Sequence, residues 1–266
     1  MNIGFLGTGN MSSALICAID RNCEGVCFYL SNPHREKAVA VQEKLRNRSV
    51  ITDNEETVLS SDMLFVGVKP QKLSEVLIPL REAFTDAPAE QLIVSMVAAK
   101  EIATIRELAG TDAPVIRIMP NTPVAVDAGV IGYSTSGVRG ETEDAFRTLF
   151  SGSALLVRVP EPQLDAISAL SGSGPAYTYA FMRALAESGV SLGLDQSAAL
   201  AMAAETVLGA ARLLLASGKS PEALIAEVCS PAGSTIEGMR ALDAGGMETS
   251  VRAAVAAAYR RSLEMK

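Results

Sequence analysis

Met1-Asn2-Ile3-Gly4-Phe5-Leu6-Gly7-Thr8-Gly9-Asn10-Met11-Ser12 opens the chain. The first six residues read as a buried strand, and the small-residue segment after them stands where a strand turns into a helix. Glycines at 7 and 9 permit a tight turn and let a pyrophosphate approach the N–H groups of the helix start. Ser12 holds the third fingerprint position, where glycine or alanine is usual, and a small residue there still lets helix and strand pack closely. The spacing alone is a weak signal. Its place at the end of the first strand makes it a dinucleotide site, with Leu6, Gly7, Thr8, Gly9, Asn10, Met11 and Ser12 as candidate contacts.

Outward from this turn, short β-branched runs alternate with helical stretches. Met1–Leu6, Val26–Leu30, Met63–Val68, Gln91–Ser95 and Val115–Met119 read as buried strands, with helices starting near Met11, His34, Gln71 and Lys100. Gly129–Ser134 and Ala154–Val159 add strands near the end of the sheet, their orientation open to being antiparallel. Such alternation predicts a doubly wound, mostly parallel sheet of the Rossmann type. Pro160-Glu161-Pro162 stops the sheet, and almost everything beyond is helical and rich in alanine, leucine and methionine. The expected architecture is α/β: a nucleotide-binding domain over residues 1–160 and an all-helical dimerisation and substrate domain over 161–266. Asp195 to Ala216 carries only Asp195, Glu205 and Arg212 as charges, so that helix is apolar nearly all round and needs cover. A subunit interface is the expected cover.

The 266 residues are 48% hydrophobic and 20% charged, enough for a large core, and the net charge of −7 disfavours nucleic acid and anionic membranes as partners. No basic segment precedes the first apolar run, so no signal peptide is expected, and the uncharged stretch Ala166–Met182 is broken by Ser-Gly-Ser-Gly-Pro, which argues against a membrane span. Cys17, Cys23, Cys27 and Cys229 form no paired framework, and with one histidine in the chain no metal site is expected. A cytoplasmic setting with reduced thiols fits this usage.

After the second strand, where NAD sites place a carboxylate for the ribose 2′-hydroxyl, the chain has Ser31-Asn32-Pro33-His34-Arg35. Ser31, Asn32 and Arg35 suit a 2′-phosphate, so NADPH is the expected cofactor, with NADH as the alternative. Gly67-Val68-Lys69-Pro70 closes another strand at the edge where ligands bind. Asn54 is either a helix cap or an adenosine contact. Met119-Pro120-Asn121-Thr122-Pro123 makes a rigid turn suited to walling a nicotinamide.

The helical half has no histidine, and its lysines are Lys219 in a polar turn and the terminal Lys266. Its chemistry must rest on hydroxyls, carboxylates and backbone N–H groups. Two glycine/hydroxyl junctions stand out: Leu170-Ser171-Gly172-Ser173-Gly174-Pro175-Ala176-Tyr177 and Cys229-Ser230-Pro231-Ala232-Gly233-Ser234-Thr235. Together with Gly7–Ser12, Val68–Pro70 and Met119–Pro123, in this order, they make the chain resemble the pyrroline-5-carboxylate reductases. The resemblance implies NAD(P)H-dependent reduction of 1-pyrroline-5-carboxylate to L-proline by a homo-oligomer, a dimer or a decamer built from dimers. By position it implies that Ser230, Gly233, Ser234 and Thr235 seat the substrate carboxylate, with Thr235 as the catalytic hydroxyl facing the ring nitrogen and Glu161 close to the substrate. It also aligns Asn32, Asn54, Gly67–Pro70 and Met96, Val97 and Ala98 with nucleotide contacts, and Asn121 joins the cofactor set from its turn. Ala232 stands where the family usually has glycine, and Gly218 where some relatives carry an acid. A 3-hydroxyacid dehydrogenase would need a helical lysine in the second half, and neither lysine is so placed. A reductase of another small imine and a non-catalytic NADP-binding protein are the other readings.

Overall fold

In the computed structural model, which describes residues 1–231 and 233–265, one sheet holds eight strands among the described residues. They are β1 (Asn2–Leu6), β2 (Cys27–Ser31), β3 (Arg48–Ile51), β4 (Met63–Val66), β5 (Leu92–Ser95), β6 (Val115–Pro120), β7 (Gly129–Ser136) and β8 (Ala154–Arg158). Their order across the sheet is β3-β2-β1-β4-β5-β6-β7-β8. From β3 to β6 every neighbouring pair is parallel, β7 is antiparallel to β6, and β8 is parallel to β7. The reversal has a simple cause. Only a short connection with one 3-10 turn, Thr122–Val126, joins β6 to β7, too short for the crossover that a parallel pair needs.

Helices α1 (Asn10–Asn22), α2 (Arg35–Gln42), α3 (Asn54–Leu59), α4 (Leu73–Leu77), α5 (Arg81–Asp86), α6 (Ile102–Ala109) and α7 (Gly140–Leu149) accompany the strands. Because successive strand residues point to opposite faces, β1 sends Ile3 and Phe5 into one apolar core and Leu6 into another. The first core stacks Phe5 on Phe65 with ring centroids 4.5 Å apart. The central strands β4, β5 and β6 are buried along their whole length, as strands covered on both faces must be. Two elements lie outside the sequence reading. Strand β3 is a half-exposed edge strand that begins with an exposed arginine, and α7 buries only Glu143, Phe146 and Leu149. The helix expected near Gln71 starts instead as a 3-10 turn at Pro70–Lys72.

Two compact units emerge from the packing: Met1–Ser173 joined by the chain from Ala258 onward, and Gly174–Ala257. In the first, α8 (Leu164–Ile167) runs into a π-helical turn, Ser168–Gly172, and Gly132 lets Ile167 lie against β7, since a Cβ there would stand 2.5 Å from Ile167 Cδ1. The second contains α9 (Gly174–Ser191), α10 (Gln196–Ser217), α11 (Pro221–Val228), α12 (Ser234–Ala244) and the start of α13 (Met247–Glu264). Asp195 caps α10 by accepting from the N–H groups of Ser197 and Ala198.

Among the described residues, the buried core of the second unit is Ala186, Ala199 and Ala203, where α9 meets α10. Leu200, Met202, Leu213 and Leu215 on α10 are exposed, Leu215 at 85%. Tyr179, Met182, Val190 and Leu200 line an open groove of about 610 Å³. By length and composition α10 also suffices to cross a membrane, with mean hydropathy 1.6 over its most apolar stretch, of which 11% is buried. Three alanines are a small core for five helices, so these apolar faces need an outside partner.

Candidate functional site

Strand order reverses at β1, which has β2 on one side and β4 on the other; ligands of open α/β sheets bind at the carboxyl ends of strands beside such a switch. The loops leaving that edge are stitched together. Gly7 N donates to Ser31 O at 2.8 Å, Gly67 N to Leu6 O at 2.9 Å, and Met96 N to Val66 O at 3.1 Å. Gly7 adopts φ +95°, and a Cβ there would stand 2.9 Å from Gly67 O. A Cβ on Gly67 would in turn collide with Ser12 Oγ, so the glycine turn and the loop after β4 touch through backbone. Ser12 is buried, with its hydroxyl 3.8 Å from Met96 Sδ. Gly9 is different. It caps α1 without a side-chain hydrogen bond, and a Cβ there would meet nothing within 4 Å. The first N–H groups of α1, which a helix cannot pair internally, therefore open onto clear space that fits a pyrophosphate.

At the end of β2, the Ser31 hydroxyl donates to Asn54 Oδ1, Asn32 Nδ2 donates to Thr8 Oγ1 at 2.8 Å, and His34 N donates to Asn32 Oδ1 at 2.9 Å. Asn54 opens α3, whose cap is Asp53, accepting from Glu56 N at 2.8 Å. Arg35 is exposed at the start of α2, and Lys69 is exposed ahead of the 3-10 turn. Leu6, Gly7–Ser12, Ser31, Asn32, Arg35, Asn54, Gly67–Pro70, Met96–Ala98 and Asn121 all leave the carboxyl edge of the sheet or open the elements just beyond it. Ala99, which follows this set, is buried at φ 58°, a left-handed conformation unusual for a residue with a Cβ.

Beyond β6, Asn121 is buried and its amide is engaged at both ends, Oδ1 accepting from Val130 N at 2.8 Å and Nδ2 donating to Ser171 O at 3.0 Å. Glu161 Oε1 accepts from Ile102 N at 2.8 Å, at the start of α6, and from Arg117 Nη1 at 3.2 Å. Arg117 is 1% exposed and also lies 3.9 Å from Asp165, which accepts from the Ser262 hydroxyl at 3.1 Å. Sequence reasoning passed over Arg117, although a single charge inside an apolar strand is the signal that would have found it.

In the second unit the turn into α12 gathers Ser230, Gly233, Ser234 and Thr235; Ala232 lies outside the described residues. Gly233 caps α12 in extended backbone, without a side-chain cap, and its own N–H donates to Ser230 O at 3.0 Å. The helix-start donors that this turn leaves without an intrahelical partner therefore include those of Ser234 and Thr235. Gly218, earlier in the same unit, closes α10. Tyr177 is half-buried in α9, with its hydroxyl 3.5 Å from Ala254 O.

Comparison with known proteins gives this geometry a context. Residues 161–265 match a family model described as pyrroline-5-carboxylate reductase dimerisation, and residues 2–99 match one described as NADP oxidoreductase, coenzyme F420-dependent. The chain is 38% identical over 268 residues to pyrroline-5-carboxylate reductase 3 of Danio rerio, covering 100% of this chain and 91% of the fish protein. It is 37% identical over 269 residues to the pyrroline-5-carboxylate reductase of Methanosarcina acetivorans, covering 99% and 97%. Among solved structures, a pyrroline-5-carboxylate reductase from Coxiella burnetii is similar with a TM-score of 0.88 and 30% identity, covering 100% of this chain and 98% of that one. A Plasmodium falciparum pyrroline carboxylate reductase with NADP bound is similar with a TM-score of 0.88 and 25% identity, at the same coverage.

Proposed function

This chain belongs to the pyrroline-5-carboxylate reductase family, and on that premise we propose that it reduces 1-pyrroline-5-carboxylate to L-proline with NADPH, the final step of proline biosynthesis. The observation that carries the reading is the open helix start at Gly9, beside the strand switch, in a chain related to these reductases along its whole length. Leu6 and Gly7–Ser12 seat the pyrophosphate. Ser31, Asn32 and Arg35 hold the adenosine ribose and its 2′-phosphate, with Asn54 behind Ser31, while Gly67–Pro70 and Met96–Ala98 line the remaining dinucleotide. When bound, NADPH supplies the hydride.

The protein's part is orientation and charge. The N–H groups of Ser234 and Thr235 hold the substrate carboxylate, with Ser230 shaping the turn, and the Thr235 hydroxyl hydrogen-bonds the ring nitrogen and steadies its proton. A protonated imine is already electrophilic. Hydride adds at its carbon, the C=N electron pair settles on nitrogen, and little general-acid assistance is required. Gly233 contributes by letting the chain turn, because its N–H is committed to Ser230 O. Glu161 contributes through the scaffold, where it holds Arg117 and the start of α6.

The apolar faces of α9 and α10 pair with a second copy, in keeping with the dimerisation model matched by residues 161–265, and the assembly is that dimer or a decamer built from such dimers. A monomer in light scattering at micromolar concentration overturns the pairing. The activity is tested by mixing protein, NADPH and 1-pyrroline-5-carboxylate, following the NADPH absorbance and assaying proline. Proline must appear in step with NADPH loss. Tight NADPH binding without turnover would instead mark a non-catalytic binder.

A further inference from the structure

The carbonyl of Ser171 lacks its α-helical donor. In an α-helix this oxygen takes the N–H of residue 175, and residue 175 is proline, which has none. The chain here winds into a π-helical turn over Ser168–Gly172, with Ser173 N donating at 2.9 Å to Ser168 O, five residues back. A donor to Ser171 O comes from fifty residues upstream: Asn121 Nδ2, at 3.0 Å. The other end of that amide accepts from Val130 N at 2.8 Å, and the Asn121 N–H donates to Val130 O at 3.1 Å. Asn121 is 6% exposed, so losing either side-chain bond would strand a shielded polar group. The residue stands between β6 and the 3-10 turn Thr122–Val126, with Pro120 and Pro123 stiffening the chain on either side.

We propose that Asn121 is a positioning residue for hydride transfer: its amide clamps the turn between β6 and β7 to the Ser171 carbonyl that Pro175 leaves without its α-helical donor. The turn is thereby held as a fixed wall of the nicotinamide site. The clamp rests on reading this edge as the NADPH site. It makes Asn121 and Pro175 a coupled pair, since a proline creates the vacancy that the asparagine fills.

The test is a double-mutant cycle of Asn121→Ala and Pro175→Ala, read in NADPH affinity by fluorescence, in kcat and KM for the imine, and in thermal midpoint. In the wild-type background Asn121→Ala lowers kcat and NADPH affinity by about tenfold. Alanine at 175 brings an N–H that can reach Ser171 O, so in the Pro175→Ala background the same change costs less than about threefold. Asn121→Asp keeps the acceptor for Val130 N–H while removing the donor, and it should match the alanine variant if that one folds poorly. Equal losses in both backgrounds overturn the coupling. A fall in thermal midpoint with kcat and NADPH affinity unchanged overturns the positioning role. If the wild-type protein reduces no imine, the proposed activity fails by itself, while the cycle in NADPH affinity still decides the clamp.

Discussion

Gly7→Ala and Gly9→Ala form a paired probe of the nucleotide turn, because these two glycines are present for different physical reasons. At Gly7 the backbone holds φ +95°, where a Cβ costs about 1–2 kcal/mol. The new methyl would also lie 2.9 Å from Gly67 O and 3.2 Å from the Gly67 carbonyl carbon, backbone atoms that have no rotamer to escape into. Relieving that contact means prising the turn from the loop after β4, about 1–2 kcal/mol more. Gly7→Ala should therefore lose about 2–4 kcal/mol of folding stability. At Gly9 the backbone is ordinary, φ −73° and ψ 178°, and nothing lies within 4 Å of a Cβ. The weaker capping preference of alanine is offset by lower unfolded-state entropy, leaving stability within about 1 kcal/mol of wild type. Its methyl instead intrudes on the space before the first N–H groups of α1. Weakening one or two charge-assisted hydrogen bonds there is worth about 3 kcal/mol, or about 100-fold in NADPH affinity. Urea unfolding and fluorescence titration with NADPH separate the two effects. A Gly9→Ala protein that binds NADPH within threefold of wild type would refute the reasoning, as would a Gly7→Ala protein of wild-type stability.

Further outcomes are expected elsewhere. Thr235→Ala should lower kcat by roughly 10–100-fold in the imine assay, less than loss of a full general acid, because the substrate can arrive protonated; unchanged kinetics remove Thr235 from the mechanism. Burial is the largest influence on the Asp20 carboxyl and pushes its pKa up, but hydrogen bonds from the N–H groups of Arg46 and Asn47 and from their side chains outweigh it and hold the value below the usual range. A depressed folded pKa means that the unfolded chain binds the proton first as pH falls. Asp20 therefore stabilises the fold above about pH 4, and that contribution disappears as pH drops through its folded value. Asp20→Asn should cost about 2–4 kcal/mol near neutrality and flatten the acid limb of a urea-stability profile; an unaltered acid limb contradicts this. At Ala99, φ 58° tolerates glycine but punishes a β-branched residue. Ala99→Val should lose at least about 2 kcal/mol in urea while Ala99→Gly stays within about 1 kcal/mol of wild type, and equal stability of the two would contradict the left-handed assignment.

The parallel strands were legible because strands covered on both faces must be nearly continuously apolar, as Met63–Val66 is throughout and Leu92–Ser95 is up to its closing serine. Strand β3 was not, because an edge strand such as Arg48–Ile51 has no such requirement and carries polar residues. The chain changes rhythm at Pro160, where composition turns helical, but the compact first unit runs to Ser173 and regains the chain from Ala258. Composition marks the rhythm. Compactness follows contacts such as Ser262 with Asp165, which no local pattern announces.

The sequence by itself determined the alternation of strand and helix, the glycine turn after β1, and the bareness of α10, since periodicity, backbone freedom and side-chain polarity are local properties. Only the tertiary structure decided which of the two turn glycines faces backbone and which faces open space. It also revealed that Gly233 spends its N–H on Ser230, that Glu161 is occupied by Arg117, and that Asn121 serves a carbonyl fifty residues away. The physical reason is common to all of these. A hydrogen bond or a steric contact is made between atoms that the fold brings together, and their separation along the chain carries no trace of it.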